Sequence, residues 1–327
     1  VYRYNDGIHG NELWFSDGTA NGTIRLTNAV TNGDSNPEGM TSFGNKVIFR
    51  MYDPTNGWEP WITDGTLLGT TLLKDIRSGG DSYPSDFTMV GSKMFFLADD
   101  GLSGRQLWVT DGTPSGTIAL LANTSGNSNV SYLTVVGSTL YFSADDGVNG
   151  YELWKSDGTV GGTTMVKDIR TGVLGSSPQQ FTVSGSILYF TATDDTRGRE
   201  LWKSNGTSLG TTMVSDINPN GNSHPEQLVV DGSLLYFAAN DGVSGRELFV
   251  SDGTAVGTGS IDINRSGGSR PERLARNNNI LYFTANDGFN GTEMWSVNGG
   301  WLASTAPNVT RSENAPLPPS GVTRPVP

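Results

Sequence analysis

Two kinds of side chain recur along this 327-residue chain and could do chemistry: carboxylates and guanidiniums. Adjacent acids stand at Asp99-Asp100, Asp145-Asp146 and Asp194-Asp195. Such pairs offer the oxygen ligands that calcium takes, and calcium is the cofactor the sequence suggests. The spacing matches neither a D-x-[DN]-x-[DN]-G loop nor a G-G-x-G-x-D repeat. An Asp or Asn in such a place also caps its own turn by accepting backbone N–H groups. Arg77, Arg105, Arg170, Arg199, Arg246 and Arg270 fall in loops among these acids, and together they mark a candidate binding face. Paired carboxylates could serve a glycosidase, but a catalytic pair should stand once, and these recur in most repeats. The histidines, His9 and His224, sit at different points of the repeat, and no nucleophile–His–acid pattern accompanies them. No catalytic residue is assigned, and the chain is read as a non-enzyme.

The elements that must position these groups form a repeat. Glu-Leu-Trp or a close variant begins at Glu12, Glu59, Gln106, Glu152, Glu200, Glu247 and Glu293, at intervals of 46 to 48 residues. Seven units of about 47 residues predict a repeat array rather than two ordinary domains. Within the fifth unit, strands are predicted over Gln179–Ser184, Ile187–Ala192, Glu200–Ser204 and Thr211–Asp216, with Gly-rich turns between them. Four short strands per unit make a blade. The fold class is therefore all-β, a seven-bladed β-propeller with four-stranded blades. The recurring Trp is expected in the core between blades. The Glu before Leu-Trp is expected to bond backbone or a neighbouring blade, because a buried carboxylate needs partners. Asp-Gly turns at Asp17, Asp64, Asp111, Asp157 and Asp252 give way to Asn-Gly at Asn205 and Asn298. That interchange points to turn geometry.

The chain opens inside a second-type strand, Val1–Tyr4, so the first blade lacks its first strand. The Glu-to-Pro interval of 25 residues, as from Glu200 to Pro225, carries Glu293 to Pro318. Residues 1–305 are read as the propeller. Residues 306–327, rich in proline, are read either as a strand that closes blade one against the N-terminal segment or as a linker.

Net charge is −12 with scattered Lys and Arg, which excludes a nucleic-acid partner. No apolar run is long enough to insert in a membrane as a helix. There are no cysteines, hence no disulfides or thiolate sites.

The unit Glu152-Leu153-Trp154-Lys155-Ser156-Asp157-Gly158-Thr159, followed by Gly162-Thr163 and Val166-Lys167-Asp168-Ile169, resembles the ELWxxDGT repeat family over roughly residues 1–300. Pro60, Gln106 and Phe249 depart from it. The resemblance implies a propeller-like fold and a secreted or cell-surface location in bacteria, and it brings no catalytic residues. The resulting expectation is a non-catalytic extracellular propeller acting as a protein-interaction or structural scaffold, as in an envelope or filament assembly. Its partner would be a protein or further copies of itself. A carbohydrate-binding propeller lectin is the alternative, and a glycosidase or polysaccharide lyase comes third.

Overall fold

The computed structural model describes residues 1–298, apart from 31–32, 121–122, 124–125 and 279, together with the strand at 308–311. All of the regular structure described is β, in seven antiparallel sheets that follow one another along the chain. The chain is a seven-bladed β-propeller. It falls into two compact units, residues 1–150 with 154–164, and residues 151–153 with 165–327. Among the described residues no helix is long and apolar enough to cross a membrane.

Six sheets have four strands, each hydrogen-bonded to the next in sequence order. Blade five shows the plan, with strands Gln179–Ser184, Ile187–Asp194, Gly198–Ser204 and Thr212–Ser215. These match the sequence expectation to within a few residues at each end. The first sheet has three strands, Tyr2–Asn5, Asn11–Phe15 and Ile24–Arg25. Tyr2 pairs with Trp14 as Phe190 pairs with Trp202, so Tyr2–Asn5 is a second-type strand, as expected. Asn308–Arg311 pairs with Thr292–Asn298 and forms the fourth strand of the last blade. The proposed closing segment around Pro318 lies outside the described residues.

The second and third strands alternate apolar side chains on both faces because each blade is covered on both sides. Phe49, Phe96, Phe142, Phe190 and Phe237 are fully buried on second strands, as are Leu13, Leu107, Leu153, Leu201 and Leu248 on third strands. Clusters span adjacent blades: Leu201 and Val214 of blade five pack with Leu235, Phe237 and Phe249 of blade six. Trp108 packs with Ile76, which leads out of the preceding blade, and Trp295 packs with Leu248 and Ile261 of blade six. The repeated Trp is core between blades. Its indole N–H finds the Ala285 carbonyl at 3.0 Å in Trp295, whereas those of Trp108, Trp154 and Trp202 are buried without a protein partner.

The first strands carry a bulge that the sequence does not announce. In blade three the register shifts between Ser85 and Thr88. Asp86 takes a left-handed φ of +58°, and Tyr132, Gln180, Gln227 and Arg273 do the same in later blades. Each such residue costs on the order of 1 kcal/mol. The return is a bulge that turns one side chain per blade out of the strand at one place.

Candidate functional site

The paired acids cap their own turns. Asp100 Oδ1 accepts the N–H groups of Leu102 and Ser103 at 2.9 and 2.7 Å, and Asp146 Oδ1 does the same for Val148 and Asn149. Asp99, Asp145 and Asp194 accept the N–H two residues on. Asp195 faces Arg170 at 3.5 Å. Among the described residues no three or more His, Asp or Glu side chains gather as a metal site.

The arginines divide into two kinds. Arg105, Arg199 and Arg246 begin third strands and donate to the carbonyls of Tyr83, Ser177 and His224 at 2.9 to 3.1 Å. Those acceptors are themselves left-handed residues at the entrance to the blade. Arg77 and Arg170 lie in blade-to-blade loops and face Asp99 and Asp195 at 3.7 and 3.5 Å. Arg270 is an exposed member of the left-handed set. Three of the six candidate arginines are thus clamps that hold left-handed backbone in place.

The glutamate before Leu-Trp is a buried latch. Glu59 accepts Ile76 N–H at 2.9 Å, Ser82 N–H at 3.1 Å and Ser82 Oγ at 2.6 Å, fastening the segment that leads to the next blade. Glu152 holds Ser176 and Glu200 holds Ser223 in the same way. Burial pushes Glu59, Glu200 and Glu247 up to about 7, against the pull of the serine hydroxyl and backbone N–H groups. In blade three Gln106 replaces the acid: its carbonyl accepts Ser128 Oγ, and its amide donates to Ser103 O and Gly126 O. The side-chain oxygens of these buried groups are thus engaged by partners within the chain.

What differs from blade to blade lies where blade two meets blade three. Blade two comprises Glu38–Phe43, Lys46–Asp53, Gly57–Thr63 and Thr71–Leu72, and blade three begins with Ser85–Val90. At the left-handed bulge position blade two has Gly39 (φ +66°) where others have Asp86, Tyr132, Gln180, Gln227 or Arg273. A Cβ on Gly39 would touch the Phe87 ring at 3.4 Å, so any side chain there would enter the space in front of Phe87. Without one, a cleft of about 260 Å³ opens among Glu38, Gly39, Thr41, Arg50, Pro84, Ser85, Asp86 and Phe87.

Arg50 stands where later blades have Leu97, Ser143, Thr191, Ala238 and Thr284, and Arg3 holds the same place in blade one. It donates to Glu38 Oε2 at 2.5 and 3.2 Å and lies 5.5 Å from the Trp58 ring centre. Trp58 takes the place held by Arg105 and Arg199 in other blades, and Tyr83 stacks on it at 6.5 Å. Arg3 also donates to Glu38, at 3.2 Å. Asp86 is poorly matched: its ion pair with Arg105 is 3.9 Å long, and 59% of its side chain is exposed. Sequence reasoning missed this cleft because it sought what recurs. The available signal was the reverse, a column of the repeat in which one unit has glycine where the others described carry a side chain.

No family model matches the chain, and no curated protein does. Solved structures do. A prolyl endopeptidase matches over 93% of this chain at 10% identity with a TM-score of 0.46. A puromycin hydrolase matches over 86% of it at 13% identity and 0.39, and its mutant complexed with PGG over 89% at 12% and 0.41. The chain spans about half the length of these structures, 46 to 47%. They correct the expectation of an interaction scaffold or assembly component, with a lectin or a glycosidase behind it: the structures that match are of hydrolases named for prolyl peptide and puromycin substrates. At these identities the likeness is one of fold, and no catalytic residue passes from those enzymes to this chain.

Proposed function

We propose that this chain is a peptide-recognition propeller, the part of a peptide-acting protein that takes hold of the ligand at the cleft between blades two and three. One observation carries the reading: among the described first strands, blade two alone has glycine at the bulge, Gly39, and the cleft this opens is flanked by Arg50, Trp58 and Tyr83. Residues required by the fold recur across the blades, so a glycine that stands once at the bulge answers to another requirement. A volume of about 260 Å³ is below the roughly 300–1,000 Å³ of sites that enclose a whole small molecule. It suits one side chain of a longer ligand. The lining offers carboxylates, a guanidinium, two hydroxyls, the Phe87 ring and the Pro84 pyrrolidine. That mixture matches a peptide, with its alternation of polar backbone and apolar side chain. Nucleic acid is disfavoured by the net charge of −12.

Bond-breaking chemistry in the parent protein is, on this reading, the work of residues outside these blades. A location outside the cell is a separate proposal, supported by the likeness of the repeat to the ELWxxDGT family. The test of recognition is fluorescence anisotropy with a labelled random hexapeptide pool. Binding that Trp58→Ala or Arg50→Ala weakens, and Trp202→Phe leaves unchanged, supports the site. No binding, or binding indifferent to both substitutions, rules it out.

A further inference from the structure

The cleft's own chemistry narrows its ligand, on the condition that the cleft is a peptide site. Its three charged lining groups are in different states of satisfaction. Glu38 is occupied on both oxygens, by Arg3 at 3.2 Å and by Arg50 at 2.5 Å. Arg50 is occupied in turn by Glu38 and by the Trp58 ring. Asp86 is the exception. It holds Ser85 Oγ, its nearest cation is 3.9 Å away, and most of its side chain faces solvent. Among the described first strands no other places an acid at this bulge position, and the left-handed backbone of Asp86 turns it out of the strand at the cleft that Gly39 leaves open. The Phe87 ring and the Pro84 pyrrolidine line the same cleft.

We infer that the group seated in this cleft is a basic side chain of the ligand, lysine or arginine, with its stem over Phe87 and Pro84 and its cation at Asp86. Long basic side chains bury their methylenes on apolar surface while the charged end stays polar. The Phe87 ring adds a cation–π attraction to the same group. The net charge of −12 steers a cationic peptide toward the protein, whereas an acidic one is repelled.

Amide NMR titration decides the matter. The probes are Ala-Ala-X-Ala-Ala, blocked at both ends, with X as lysine, arginine, norleucine or glutamate. Lysine and arginine peptides are expected to shift the Gly39 and Phe87 amides and to bind about tenfold tighter than norleucine, the effect of one charge-assisted hydrogen bond. Asp86→Asn keeps a residue that tolerates the left-handed backbone and is expected to abolish that tenfold preference. Gly39→Gln is expected to abolish binding altogether. Its fold is safeguarded by Gln180 and Gln227, which occupy the same position at φ +58° and +56°. Equal affinity for lysine and norleucine peptides, lost in Gly39→Gln, overturns the basic preference and leaves the peptide site standing. Absence of shifts with every peptide overturns both.

Discussion

Blade two and blade five share a backbone plan and differ in what they do with it. In both, the first strand carries a left-handed residue after its first position, Gly39 at φ +66° and Gln180 at φ +58°. In both, a buried Glu, Glu59 or Glu200, latches a serine in the segment leaving the blade. Blade five fills the bulge with Gln180 and sets Arg199 on the carbonyl of Ser177. Blade two leaves the bulge bare and sets Trp58 where the arginine would be. The repeat therefore fixes the scaffold so firmly that one missing side chain opens a cleft without disturbing the latch beneath it. Regular residues report the fold, and the irregular ones report its use.

That division can be broken or sharpened by substitution. The largest effect is expected at the regular core. Trp202→Ala should cost about 3–5 kcal/mol, measured by denaturant unfolding, whereas Trp58→Ala should cost under about 1.5 kcal/mol and act on binding. A Trp58 as costly as Trp202 would erase the distinction. Next, Glu200→Ala leaves Ile217 N–H without its acceptor, while Ser223 N–H and Oγ keep the Arg199 carbonyl at 3.1 and 3.3 Å, at about 1–3 kcal/mol for one buried donor. Glu200→Gln should cost less, since Gln106 already serves blade three.

The same latch sets a pH dependence. Glu59, Glu200 and Glu247 are raised from 4.5 to about 7 by burial. The folded chain thus holds more protons than the unfolded one between those values. Their stabilisation is complete below about 4.5 and is lost as pH rises through 7. The exposed turn acids run the other way. Hydrogen bonds from Thr66 and Thr159 hold Asp64 and Asp157 below the ordinary value of 3.8, so their contribution is lost as pH falls through that range. Melting temperature is expected to fall from pH 5 to 8, with a shallower slope in Glu200→Gln. A slope unaltered by that substitution contradicts the assignment.

The smallest effect is expected at the turns. Asn205 Oδ1 accepts Thr207 N–H and Oγ1 at 3.0 and 2.7 Å, as Asp157 does for Thr159 at 2.9 and 2.7 Å. Asp157→Asn should therefore change stability by less than about 0.5 kcal/mol, and a larger loss would show that the charge itself matters.

The blades, their strands, the Trp core and the Asp-Gly turns were legible because each arises from a local pattern stated seven times. The buried state of Glu200 was legible in outline, since it precedes an apolar pair on a doubly covered strand. The partners of Arg105 and Arg199 were not, because their acceptors are carbonyls of residues 22 positions earlier, turned toward them by left-handed backbone. Asp99 and Asp145 suggested a metal by composition alone, and their geometry shows turn caps. The cleft was hidden for a simpler reason. It is made by the side chain that Gly39 lacks, and a pattern of presences does not display an absence.

The most direct test of the recognition site is Gly39→Gln, read for peptide binding and melting temperature on the same preparation. Retained melting temperature with lost binding is the predicted result. Full peptide affinity in that variant would contradict the placement of the site at this cleft.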